Sequence, residues 1–220
     1  MPLQNRVDPF GQIHAVSERG LFTGNRGIIH DPDSRTLLEK RWTLKAWIIC
    51  RCAFKGVRRE PMGRNRKGRP GEADRAGWTE LFFLDEVTAL AAGHRPCFYC
   101  RREQATDFCR RFGQASGIGE PRAPMLDERL HRERRASGGK AVPLDAGSLI
   151  DLPDGAVVAD GGAAYALRGG KALRWSFGGY GAAIDPGIFQ GRAPHLLTPP
   201  TTLGVLRQGY APAWHPSAGA

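Results

Sequence analysis

The chain has 220 residues, with 32 lysines and arginines against 22 aspartates and glutamates, a formal net charge of +10. Apolar residues make up 41%, enough for a buried core, which excludes wholesale disorder. No apolar run approaches the roughly 20 residues that cross a bilayer. Glycine (29) and proline (16) are abundant, which argues for many turns and against an all-helical bundle.

The length suits one large domain or two small ones. The opening MPLQNRVDPFGQIHA has no apolar stretch of the kind a secretory signal needs. Five cysteines, an odd number with one short C-x-x-C spacing, fit a reducing compartment better than a disulfide framework. A cytoplasmic protein is therefore expected. The charge is uneven: residues 51–75 hold nine basic residues against three acids, and residues 101–135 hold nine arginines against six acids. Such clusters suit a polyanion partner, nucleic acid above all, and equally a solvated basic surface.

In chain order, Arg6–Ile13, Gly20–Phe22 and Ile28–Ile29 read as short strands joined by turns. Ala46–Phe54, with aromatic and β-branched residues, predicts a further strand. Arg58–Gly77, basic and rich in glycine and proline, predicts a flexible loop, and Thr79–Phe83 another short strand. Asp85 reads as a helix N-cap, Val87, Leu90 and Ala91 as the apolar stripe behind it, and Gly93 as its stop, with Pro96 forbidding continuation. A second amphipathic helix is expected over 100–115 (Ala105, Phe108, Cys109 and Phe112 inward), and a third, charged one over 125–136, ended by Gly138–Gly139. Beyond 148 the pattern turns to short strands, with a hairpin from Tyr165 to Trp175 around Gly169-Gly170. One more strand at His195–Thr198 and a last helix near Pro200–Gln208 follow. The stretch Val87–Pro96 is echoed by Leu203–Pro212: helix, glycine, aromatic ring and proline. A helix stop used twice explains this more simply than a duplication.

The expected fold class is α+β: a small mixed α/β zinc-binding region and helices over 1–140, then a β-rich part over 141–220.

Cys97-Phe-Tyr-Cys100 carries the chemistry. A tight turn brings two such thiolates to the spacing of one ion, and the helix that follows favours their ionised form. Alone, the motif is half a zinc site, a redox pair or two buried cysteines. A redox pair is expected after a strand in a βαβ unit, whereas here the motif follows a helix and His94-Arg95-Pro96.

The run Phe82-Phe83-Leu-Asp-Glu-Val-Thr-Ala-Leu-Ala-Ala-Gly93-His-Arg-Pro96-Cys97-Phe-Tyr-Cys100 resembles the second half of the Ada-like zinc-binding module. Upstream, Thr23-Gly24-Asn25-Arg26-Gly27-Ile28-Ile29-His30-Asp31-Pro32-Asp33-Ser34-Arg35 is similar to its first half. The resemblance spans about residues 21–102. It implies a zinc site with His30 at the family's histidine position, but Ser34 stands where the family has a cysteine. The replacement ligand is sought in the Trp47–Phe54 strand, where Cys50 and Cys52 alternate onto one face and only one fits the ion. The expected metal ligands are His30, Cys50, Cys97 and Cys100, with Cys52 the alternative to Cys50. Ada-like modules contact DNA, so the resemblance and the charge together imply a cytoplasmic bacterial zinc protein. Its Arg58, Arg59, Arg64, Arg66, Lys67 and Arg69 would meet phosphates. Transfer of methyl groups to a zinc-bound cysteine is not expected with Ser34 in place.

Cys109 reads as a core residue, and His94 as a neighbour of the metal rather than a ligand. Asp127 and His131, spaced i, i+4 on a helix, suit either a solvated charged face or a catalytic metal. A metal-dependent hydrolase or nuclease built on them is therefore the first alternative function. A protein-interaction module with a structural zinc is the second. Trp175 and Tyr180 read equally as base-stacking residues or as hairpin core.

Overall fold

The computed structural model describes residues 1–135, 139, 142–144 and 146–219. In chain order the first part comprises β1 (Arg6–Val7), β2 (Ile13–His14), β3 (Phe22–Asn25), β4 (His30–Asp31), β5 (Thr36–Leu37), β6 (Ile48–Arg51), β7 (Leu81–Phe83), α1 (Glu86–Ala91), β8 (Arg95–Pro96), α2 (Arg102–Ser116) and α3 (Ala123–Glu133). It continues with β9 (Val142–Pro143), β10 (Val157–Asp160), β11 (Ala163–Arg168), β12 (Lys171–Ser176), β13 (Gly179–Ile184), β14 (His195–Leu196) and α4 (Pro200–Arg207). The fold is α+β with a β-rich C-terminal part, as the sequence pattern implies.

One sheet runs β2-β1-β7-β3-β6-β8, with β1–β7 and β6–β8 parallel and the other pairs antiparallel. A second runs β13-β12-β11-β10-β14-β9 and is antiparallel throughout, and β4 and β5 pair as a separate antiparallel hairpin. The Tyr165–Trp175 hairpin forms as expected, Arg168 opposite Lys171. The Ala46–Phe54 strand is narrower than expected, because only Ile48–Arg51 finds partners. Gly179 opens β13. The third helix begins at Ala123 and ends at Glu133. Its expected last residue, Ala136, and Gly138 of its expected stop lie outside the described residues, as do residues 140, 141 and 145 of the expected boundary region.

All six residues of α1 are buried, and the helix serves two cores at once. Ala89 and Leu90 pack with Ile49, Leu81, Phe83, Phe108 and Phe112 and, from the far end of the chain, Val205, Leu206 and Tyr210. Val87 and Ala91 pack with Val157, Ala164, Leu173 and Tyr180.

Two acids at the start of α1 are buried with it. Asp85 caps the helix: one carboxylate oxygen accepts from the Thr88 amide (2.9 Å) and hydroxyl (2.7 Å), the other from the Tyr180 hydroxyl (2.9 Å) and the His215 amide (3.0 Å). Burial nevertheless holds the Asp85 carboxyl above its ordinary range, against these four donors. Glu86 receives both terminal nitrogens of Arg101 at 2.8 Å, the Tyr210 hydroxyl at 2.7 Å and the Ala213 amide at 2.9 Å. A short, fully buried helix can carry two carboxylates only because every oxygen finds two donors.

α1 and α4 end alike. Gly93 and Gly209 take left-handed φ values of 83° and 86°. In each case the glycine amide bonds back three residues and the following amide five: Gly93 to Leu90 and His94 to Ala89, Gly209 to Leu206 and Tyr210 to Val205. This is the same helix stop used twice, and it accounts for the sequence echo without duplication.

Glu86→Gln keeps the shape but leaves Arg101 buried without its counter-charge. Loss of about 3–5 kcal/mol of stability is expected, measured by urea unfolding; a loss below about 1 kcal/mol would contradict the role given to this pair.

Candidate metal centre

The centre is built by non-local pairing. The Arg95 amide bonds the Trp47 carbonyl and the Cys97 amide the Ile49 carbonyl, each at 3.0 Å, so β8 lies parallel to β6. That register sets Cys50, at the end of β6, against the turn Cys97–Cys100, which the Arg101 amide closes onto the Cys97 carbonyl at 3.0 Å. The sulfurs of Cys50, Cys97 and Cys100 all lie within 4.8 Å of one another, and all three residues are buried. Ile48 and Phe54 pack around them. Tetrahedral bonds of 2.3 Å place sulfurs about 3.8 Å apart, so a small contraction seats one zinc-sized ion.

The backbone is arranged for negative sulfur. The Tyr99 amide points at Cys97 Sγ (3.4 Å), the Cys100 amide also serves Cys97, and the Arg51 amide serves Cys100. Hydrogen bonding from Cys50 and these amides pulls Cys97 down to about 5, against its partial burial, and Cys100 is lowered chiefly by Cys50 as well. Cys50, donating to both neighbours in a buried place, is pushed far up. Cys50 thus holds its thiol proton most firmly of the three. A metal must displace it, so affinity rises with pH.

A cavity of about 150 Å³ opens on Cys50 and Cys100; Phe54, Trp78, Phe82 and Tyr99 are among its walls. Among the described residues no histidine or carboxylate joins the three sulfurs.

Three of the four expected ligands are brought together, and His30 is not. Its Nδ1 accepts from the Thr79 hydroxyl at 2.7 Å, and its Nε2 faces the Gly63 carbonyl at 3.4 Å. Both ring nitrogens are thus engaged, one by the basic segment at Gly63 and one by Thr79 just beyond it. Ser34 is exposed on the β4–β5 hairpin, bonded to Asp31. Cys52 lies beyond the end of β6, where the strict alternation stops; it is exposed, with its thiol on the Leu21 carbonyl at 3.5 Å. Cys109 is a buried residue of α2 whose thiol meets the Pro121 carbonyl. His94 stacks edge-on to Phe83 and tilted to Trp47 and does not join the three sulfurs. Trp175 and Tyr180 belong to the second core and bond Thr88 and Asp85.

Asp127 forms a bidentate, buried ion pair with Arg95 at 2.9 and 2.8 Å, which uses both its oxygens. His131 packs its ring edge-on to Trp42, at 4.7 Å between centroids.

The 58–77 segment has no helix or strand beyond one isolated bridge, Arg66 to Arg75. Ion pairs link it to its surroundings, Arg59 to buried Glu80 (2.7 Å) and Arg64 to Asp33, while Lys67 pairs with Asp74 (2.8 Å) within it. Glu80 is its principal anchor, accepting also from the Met62 amide and Asn65. The sequence offered no sign of this, since an acid at a strand edge ordinarily faces water.

Comparison with protein-family models, with curated proteins and with solved structures finds no match to this chain.

Purified protein is expected to carry about one metal ion per chain, as one closed cluster of thiolates binds one ion. Cys50→Ser and Cys97→Ser should each remove it, while Cys52→Ser and His30→Gln should retain it, read by elemental analysis. Retention in Cys97→Ser would rule the cluster out.

Proposed function

We propose that the protein binds zinc through Cys50, Cys97 and Cys100, and that the ion fixes β6 to the Cys97–Cys100 turn beside a basic surface that engages nucleic acid. The observation that carries the first half is the convergence of three buried sulfurs with amides directed at them. Thiolates select soft or borderline ions, and zinc is the one that demands four ligands without redox chemistry. The fourth place falls to a water or another non-protein ligand from the adjoining cavity. The likeness of the Phe82–Cys100 stretch to the Ada-like module supports the same reading, with Ser34 as a departure from that pattern and His30 engaged by Thr79 and Gly63 rather than set beside the sulfurs.

The second half rests on charge and shape. Arg58, Arg66 and Arg69 are exposed, and among the described residues no hydrogen bond or ion pair holds their guanidinium groups. Arg64 and Lys67 are exposed within weak surface pairs that phosphate can replace. Arg59 differs: its guanidinium stacks 3.9 Å over Trp78 and bonds Glu80, so its part is to hold that ring in place. Trp78, Ile28, Leu44, Arg66 and Lys67 line one groove of about 770 Å³. An aromatic floor with basic rims is how single-stranded nucleic acid is held without sequence readout. A hydrolase centred on Asp127 and His131 has less support, because Arg95 occupies both Asp127 oxygens.

Affinity for a random single-stranded oligonucleotide should fall steeply as salt rises. Replacing Arg58, Arg66, Lys67 and Arg69 together by alanine should flatten that slope by about three to four phosphate contacts. No binding at low salt, by gel shift or fluorescence anisotropy, would sink the nucleic-acid reading and leave the metal site standing.

A further inference from the structure

Arginine is ordinarily a surface residue, yet two arginines here are buried against one tryptophan. Arg26 is 0% exposed and Arg134 3%, and their guanidinium carbons lie 4.0 and 4.4 Å from the Trp47 ring centroid. Each is held by two of its nitrogens. Arg26 donates to His94 Nε2 (3.3 Å) and the Gly11 carbonyl (2.9 Å); Arg134 donates to the Gly93 carbonyl (2.9 Å) and the Lys45 carbonyl (2.7 Å). On both, the remaining nitrogen, Nη2, is buried without a hydrogen-bond partner among the described residues. A buried charged donor left unmatched is costly, and two beside the same ring call for a common explanation.

These side chains adjoin a cavity of about 30 Å³, whose wall includes Gly11, Trp47, Gly93, Arg134, Arg135 and Thr198. Arg134 lines it directly. Arg26 reaches its wall at Gly11, where a side chain would begin 3.7 Å from Nη2, so the glycine leaves that edge of the guanidinium uncovered. At Gly93 a side chain would collide with Arg134 Cγ at 2.8 Å, so this glycine, besides stopping α1, admits the arginine.

The nearby carboxylates are already engaged. Glu133, also on the cavity wall, accepts from the Thr201 amide (2.9 Å) and hydroxyl (2.6 Å) at the start of α4. Asp8 accepts from the Gln12 amide (2.9 Å) and pairs with His14 (2.8 Å), and Asp127 is held by Arg95. Arg135 adds a third cation, bonded to the Leu196 carbonyl at 3.2 Å. Burial lowers both Arg26 and Arg134 to about 9, so both remain cationic at neutral pH. Burial and the same two arginines keep His94 neutral. The three carboxylates nearest these cations are thus all committed to other donors, and none of them meets either Nη2.

We propose that this cavity is a binding site for one small oxyanion of phosphate type, held by Nη2 of Arg26 and Arg134. Guanidinium edges match oxyanions in geometry as well as charge. The volume admits little more than the space of one or two waters, which excludes a base or sugar and leaves a free ion or the phosphoryl tip of a larger ligand. The site is independent of the thiol cluster and of the 58–77 segment.

Calorimetric titration of the metal-replete full chain tests it, with inorganic phosphate, methyl phosphate and chloride at matched ionic strength. Saturable binding of phosphate but not chloride is expected. Arg26→Lys and Arg134→Lys keep the charge but lose the fork, and each should weaken phosphate at least about tenfold. Arg110→Lys, on the exposed face of α2, should not. Methyl phosphate binding as tightly as phosphate extends the site to a phosphoryl tip; phosphate binding alone makes it an enclosed ion site. Equal responses to phosphate and chloride in the wild-type chain overturn the proposal, as does undiminished phosphate binding in both folded lysine variants.

Discussion

The structure turns on two adjacent carboxylates, Asp85 and Glu86, buried at the start of a six-residue helix. Such a helix has little stability of its own, and two charges in its first turn would be costly in an apolar setting. They are tolerated because the donors come from everywhere else: Thr88 within the helix, Arg101 beyond the cysteine turn, Tyr180 in β13, and Tyr210, Ala213 and His215 near the end of the chain. Satisfying these oxygens therefore fixes the approach of the C-terminal segments and, through Arg101, the position of the residue next to Cys100. The cores on either side of α1 supply the bulk of the burial, while the carboxylates set how those cores are aligned.

The same economy recurs wherever this basic chain buries charge. Arg95 is matched by Asp127, Arg59 by Glu80 and Arg101 by Glu86, each pair linking segments distant in sequence. Arg26 and Arg134 are the exceptions, matched by carbonyls and an indole face but not by an acid. The thiol cluster is the corresponding case for negative charge: directed amides prepare its sulfurs for a cation that the protein chain itself does not provide.

Local signals were legible in the sequence, and non-local ones were not. Asp85 as cap, Gly93 as stop and the Cys97–Cys100 turn depend on residues within one or two turns of each other, and all three stand as read. The hairpin at Gly169-Gly170 is legible for the same reason. Choosing Cys50 over Cys52 depends on where β6 ends, which its pairing with β3 and the two-residue β8 decides; nothing in Arg95-Pro96 by itself marks a strand. His30 was drawn toward the metal by its local motif, whereas its ring is engaged by Thr79 and Gly63 from further along the chain. β13 was hidden because Gly179 and Gly181 lower its strand propensity, and its register is set by β12 rather than by its own pattern. The burial of Arg26 and Arg134 has no sequence signature, since it arises from the placement of Trp47 between distant segments.

The central claim is that Cys50 joins the C-x-x-C pair in one metal centre. X-ray absorption at the zinc edge on the purified, metal-replete chain tests it most directly. Three sulfurs at about 2.3 Å and one lighter oxygen or nitrogen ligand are expected. A first shell made of nitrogen and oxygen alone, or one holding only two sulfurs, would contradict it.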